Sequence, residues 1–126
     1  MGVSTDAYLF YGTLLPDPEE DSDIPWDGYD GGEDGEWGQI NNWLKDTLTF
    51  EEWNSIEIIT HCSENYPMYA IALKGTVTCA HRGCPERLNS ISALDEITPN
   101  ASTVIARIQQ KLNSEYNGWF LVSWWG

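Results

Sequence analysis

Ten of the chain's 20 acidic residues fall between Asp17 and Glu36, and no Lys or Arg occurs before Lys45. The same stretch holds Gly28, Gly31, Gly32 and Gly35, with Pro18 and Pro25. Mutual repulsion and turn-forming residues disfavour a regular element, so residues 16–36 are expected to form a long acidic loop. Ile24, Trp26, Tyr29 and Trp37 interrupt it. Such aromatic and apolar anchors either pin a loop to a core or meet a partner.

The imbalance is local. Residues 1–44 carry eleven acids and no base, whereas residues 45–126 carry nine acids and six bases. The whole chain, at a net −14 over 126 residues, suits a single domain, 1–126, with a modest core. It is 41% hydrophobic and has seven Trp, too apolar for a disordered acidic chain. Its field repels phosphates, which argues against direct nucleic-acid binding. No run long enough to span a membrane is present, and the N-terminus lacks the pattern of a signal peptide. Three Cys form no paired framework, so reduced thiols in the cytoplasm are expected.

Tyr8 to Leu15 is aromatic and apolar and reads as a buried first strand, stopped by Pro16. Trp37, Ile40, Trp43 and Leu44 fall at helical spacing and predict a helix over 37–46. Thr49 and Glu52 match a capping box. Ser55 to Cys62 reads as a strand, Ser63 to Pro67 as a turn, and Met68 to Cys79 as a second strand of an antiparallel hairpin. In that second strand Tyr69, Ile71 and Leu73 share one face and Ala70 and Ala72 the other, with Gly75 a candidate bulge or bend. Pro85 is expected to open a short helix containing Leu88, Ile91 and Leu94. Thr98-Pro99-Asn100 begins a longer helix with the stripe Ala101, Val104, Ile105, Ile108 and Leu112. Trp119 to Trp125 is the last strand. The fold class is therefore α+β: a four-stranded, mainly antiparallel sheet with helices on one face, in a ferredoxin-like element order.

Metal and catalytic signals are thin. Cys79, His81 and Cys84 are close in sequence but lack a fourth ligand, and a zinc site wants four converging groups. A continuous strand from Met68 puts Cys79 about 33 Å from Cys62, so no metal or cofactor is expected. Asp21-Ser22-Asp23 starts a calcium-loop pattern that Pro25 and Trp26 break. His61 and Cys62 are neighbours, so a strand points them to opposite faces and gives no Cys–His pair. No catalytic residue is assigned.

Tyr11-Gly12-Thr13-Leu14 resembles the Y-G-T/S-L motif of gamma-glutamylcyclotransferase-like proteins. The resemblance implies a backbone loop that holds a substrate carboxylate and a downstream Glu acting as general acid/base. The candidate match for that Glu is in Leu94-Asp95-Glu96-Ile97, but Thr98 and Pro99 replace the family's continuation. More broadly, Tyr11-Gly12, the Trp-rich middle and His61-Cys62-Ser63 leading to Tyr66-Pro67 resemble small accessory proteins of bacteria, phages and mobile elements.

The expected function is a non-enzymatic acidic interaction protein, an accessory inhibitor that docks on a basic, nucleic-acid-binding protein surface. Its partner-binding residues would be Glu19, Glu20, Asp21, Asp23, Trp26, Asp27, Tyr29, Asp30, Glu33, Asp34, Glu36 and Trp37. The alternative is a small-molecule binder or gamma-glutamylcyclotransferase-like enzyme, with Tyr8, Tyr11, Trp119, Trp124 and Trp125 around a pocket and Glu57, Glu96 or His61 as acid/base groups. Homodimerisation through the last strand is compatible with either.

Overall fold

The computed structural model describes residues 5–16, 24–63, 65–81, 99–112 and 117–125. Glu19, Glu20, Asp21, Asp23, Cys84, Glu96 and the short helix expected after Pro85 lie outside the described residues. The elements are β1 (Thr5–Leu14), α1 (Gly35–Thr47), α2 (Phe50–Asn54), β2 (Ile56–Ser63), β3 (Pro67–Leu73), β4 (Thr78–His81), α3 (Pro99–Leu112) and β5 (Asn117–Trp125). They form an α+β fold with a five-stranded mixed sheet.

The fifth strand arises because the segment expected as one strand from Met68 is broken. β3 and β4 both run antiparallel to β1, with Gly12 opposite Ala72 and Leu9 opposite Thr78. The chain turns out between them at Lys74–Val77. The Lys74 N–H donates to Ser55 O (2.9 Å) and the Thr76 N–H to Leu73 O (3.2 Å). The Thr76 hydroxyl accepts from the Tyr11 N–H (3.2 Å), which the broken ladder would otherwise orphan.

Taking β3 and β4 as halves of one strand, the antiparallel neighbours run β2, β3/β4, β1, β5. This is the split β-α-β order expected from the sequence. The sheet also curls until its outer strands meet. β2 and β5 touch in a short parallel contact, Cys62 opposite Trp124 and Ser63 opposite Trp125. Cys62 takes a left-handed backbone there, with φ 75°.

One face of the sheet is covered by helices. Ile40, Trp43 and Leu44 of α1 and Ile105 and Ile108 of α3 pack with Ile56, Ile71 and Leu73. The described stripe residues Ile40, Trp43, Leu44, Val104, Ile105 and Ile108 therefore point inward, Trp37 stands at the rim with 37% of its surface exposed, and the side chains of Ala101 and Leu112 lie outside the described residues. α1 begins at Gly35, two residues before the expected start. The α2 capping box forms in full: the Glu52 N–H donates to Thr49 Oγ1 (3.2 Å) and the Thr49 N–H to Glu52 Oε1 (3.0 Å). The Arg107 guanidinium of α3 also donates to the Glu52 carboxylate, joining α3 to α2.

The other face buries Phe10, Ile59, Ala70 and Ala72, with Tyr8, Phe120 and Val122 against them. Small residues permit this tight approach. A Cβ at Gly12 would lie 1.8 Å from the Ile71 carbonyl oxygen, so only glycine fits where β1 meets β3.

Candidate functional site

Two places concentrate chemistry: the described half of the acidic segment, and the paired ends of β1 and β4.

The acidic segment is folded from Ile24 onward. Turns close with the Tyr29 N–H donating to Trp26 O (3.0 Å) and the Asp34 N–H to Gly31 O (3.2 Å). Residues Gly32–Asp34 make one 3₁₀ turn that runs into α1. Trp26 is the main anchor, with 1% of its surface exposed. Its ring lies 5.7 Å from that of Trp43, and its indole N–H donates to Glu36 Oε2 (3.4 Å). Its side chain therefore belongs to the core, so among the expected partner-binding residues it acts as a pin rather than a contact.

Polar bonds fix the rest. The Tyr29 hydroxyl donates to Asp46 Oδ2 (2.7 Å), a bond that raises the phenol's pKa above its ordinary value. Gln39 Nε2 donates to Tyr29 O (2.9 Å) and Asn42 Nδ2 to Asp30 O (2.7 Å). Gly31 and Gly38 let the segment's backbone touch α1: a Cβ on Gly38 would sit 2.3 Å from Gly31 O.

With the backbone held this way, Asp27, Asp30, Glu33 and Asp34 are exposed. Among the described residues, neither ion pair involves them. Glu33, Asp34 and Glu36 cluster at the N-terminal end of α1, where the helix dipole favours negative charge. Beside them Trp37, Asn41, Trp53, Glu57 and Lys74 line an open groove of about 220 Å³. Trp53 Nε1 donates to Asn41 Oδ1 (3.2 Å), and Lys45 Nζ lies 5.3 Å from the centre of the Trp53 ring.

The second place was not legible as a cluster. Asp6 lies opposite His81, and Tyr8 opposite Cys79, in the β1–β4 register. Cross-strand partners share a face, so four chemically active side chains are grouped. His81 Nδ1 is 2.8 Å from Asp6 Oδ1, and Cys79 Sγ is 4.0 Å from both His81 ring nitrogens. Burial first, then the neighbouring Cys79 and Asp6, pushes the pKa of the Tyr8 phenol up. The expected strand stopped at Cys79, so the face that Cys79 shares with His81 was not read from the sequence. Neither was Asp6, because only the β1–β4 register brings it there.

Cys62 stays outside this group, although not for the reason expected. It pairs with Trp124, Trp124 with Asp6, and Asp6 with His81. Three strand spacings along the curled sheet are about 14 Å, less than half the distance a straight strand predicts.

The other candidates are scattered. Tyr11 meets Trp119 edge-on at 5.6 Å beside the helix-covered core, whereas Tyr8 and Trp124 line a shallow cavity of about 270 Å³ with Ile58, Ile59 and Thr60. The aromatics expected around one pocket are thus divided between sites. Glu57 borders the groove. His61 is buried, its Nε2 has no hydrogen-bond partner, and burial lowers its pKa despite a backbone bond at Tyr69. Tyr11–Leu14 lies inside β1: the Tyr11 N–H goes to Thr76, and Gly12 to Leu14 pair with Ala70 to Ala72.

No protein-family model matches the chain, and no curated protein or solved structure matches it either.

Proposed function

We propose that the protein is a non-enzymatic acidic interaction protein that binds a basic surface of another protein. The favoured target is a nucleic-acid-binding protein whose DNA- or RNA-contacting face the acids occupy, making the chain an accessory inhibitor. The observation that carries this reading is the anchoring of Asp27, Asp30, Glu33 and Asp34. Their backbone is fixed to α1 by Trp26, Tyr29 and the Gly31–Gly38 contact while their side chains remain exposed. A preorganised charged surface loses less entropy on docking than a loose acidic loop does. Trp37 and the adjoining groove add the apolar contact that a purely ionic surface lacks.

Among the described residues no helix is long and apolar enough to cross a membrane. Among the described residues Cys62 and Cys79 are free cysteines. A second copy of the chain remains a compatible additional partner, through the exposed Leu121 side of β5.

The test is direct binding to a panel of purified basic DNA-binding proteins, each with and without its DNA. The expected result is binding to a member of the panel that competes with its DNA and weakens steeply as salt rises. Replacing Asp27, Asp30, Glu33 and Asp34 together by Asn or Gln should weaken that binding by about tenfold or more. No binding at low salt, or binding that ignores the four substitutions, would overturn the proposal.

A further inference from the structure

We propose that Asp6, Cys79 and His81 form a binding site for a single divalent transition-metal ion of the zinc class. One carboxylate, one thiolate and one imidazole supply three protein donors, leaving a coordination position for water or an incoming ligand. This site is separate from the acidic surface and does not depend on it.

The juxtaposition comes from the fold rather than from sequence proximity. Asp6 and His81 are direct cross-strand partners, and Cys79 stands two residues before His81 on the same face. The three donor atoms all lie within 4.8 Å of one another. Zinc bonds of about 2.0–2.3 Å in tetrahedral geometry separate their donors by about 3.3–3.6 Å. The Asp6–His81 pair, at 2.8 Å, must open by roughly half an ångström, and the Cys79–His81 pair, at 4.0 Å, must close by a similar amount. Rotation of the side chains covers such movements without disturbing the ladder.

The donor set selects the class of metal. Calcium and magnesium take oxygen ligands, whereas a thiolate with an imidazole suits zinc or cobalt. Access and support are divided between the donors. The His81 side chain is 67% exposed, so an ion can reach it from solvent, while the Asp6 side chain is only 12% exposed and is held in place. Tyr8, the cross-strand partner of Cys79 and two residues from Asp6 on the same face, stands beside two of the three ligands. On ligation the Cys79 sulfur–hydrogen bond is replaced by a sulfur–metal bond, and the proton passes to solvent.

A nucleophilic Cys–His–Asp arrangement would use the same residues, but the geometry favours the metal. With Asp6 on Nδ1, catalysis by this pair would need Nε2 aimed at the sulfur. Here Sγ is equidistant from both nitrogens, off the Nε2 lone-pair direction.

The experiment titrates the full chain, first treated with chelator, with Co(II) and then Zn(II). One equivalent of Co(II) should produce a thiolate-to-cobalt charge-transfer band in the near ultraviolet, and Zn(II) should abolish it. Cys79→Ser should remove the band, and Asp6→Asn and His81→Ala should each weaken binding by about tenfold or more. Asp34→Asn, which changes only the exposed acidic surface, should leave band and affinity unchanged. Circular dichroism checks that each variant is folded. His81→Ala, at an exposed position, keeps the test decisive if Cys79→Ser does not fold. Absence of the band in the parent chain, or its survival in Cys79→Ser, would overturn the site, as would equal losses in His81→Ala and Asp34→Asn.

Discussion

The two faces of the sheet are built on opposite rules. The helix-covered face is filled by large side chains, Trp26, Trp43, Ile40, Ile105 and Ile108, brought in from separate segments. The other face is filled mainly by bringing strands together, with Gly12 opposite Ala72 and Ala70 opposite Ile59 beside Phe10. The first face depends on volume supplied from outside the sheet, and the second on volume withheld. Deletions should therefore harm the first most, and additions the second.

The largest loss is expected from Trp26→Ala, which empties a fully buried site and frees the acidic segment. It should cost about 3–5 kcal/mol, read as a lower urea midpoint. Gly12→Ala adds a single carbon, yet meets backbone at Ile71 that no rotamer change relieves. A cost of about 3 kcal/mol, at the top of the overpacking range, is expected. If Gly12→Ala proved neutral, the contrast between the faces would collapse. Ala72→Val extends the same logic, at about 1–3 kcal/mol, while Ile71→Val on the opposite face of the same strand should cost only about 1 kcal/mol. Thr49→Ala removes the cap of α2 and should cost about 1 kcal/mol.

The smallest effect is a pH dependence located at His61. Burial lowers its folded-state pKa below the usual 6.5. The unfolded chain thus binds more protons as pH falls through 6.5, so stability is lost below that point and levels off below the folded value. His61→Gln should flatten the change in urea midpoint between pH 7.5 and 5.5. An unchanged slope in that variant would assign the dependence elsewhere.

These contrasts also show what the sequence disclosed. The stripes of α1 and α3, the capping box and the alternation of Ile71 against Ala70 and Ala72 are local patterns, and they were readable. The element order and its α+β class followed from them. The break at Lys74–Val77 was signalled only by Lys74 and Gly75, a brief interruption before the strand-favouring Thr76, Val77 and Thr78. The β2–β5 closure left no local mark, since it depends on cumulative twist and on a left-handed Cys62. At the acidic segment the composition identified a loop, but not which aromatics were internal. Trp26 and Trp37 look alike in sequence, and only packing on Trp43 separates them. Asp6 was invisible as a site residue for the same reason: its partners are 73 and 75 positions away.

The outward turn between β3 and β4 acts as a change of phase. Three residues of β1 separate Leu9 from Gly12, while six separate Ala72 from Thr78, so the interruption adds an odd number of residues. In β3 the even-numbered side chains share the face of Phe10. After the turn that face passes to the odd-numbered ones, Cys79 and His81. An even insertion would have left Cys79 and His81 beneath the helices, on the side of Ile71, and Ala80 beside Tyr8. The donor group of β1 and β4 thus exists because the strand loses step by one. Removing one residue from Lys74–Val77 should spare that group only if the turn absorbs the loss; a turn that keeps its length slips β4 by one and sends Cys79 and His81 to the helix side.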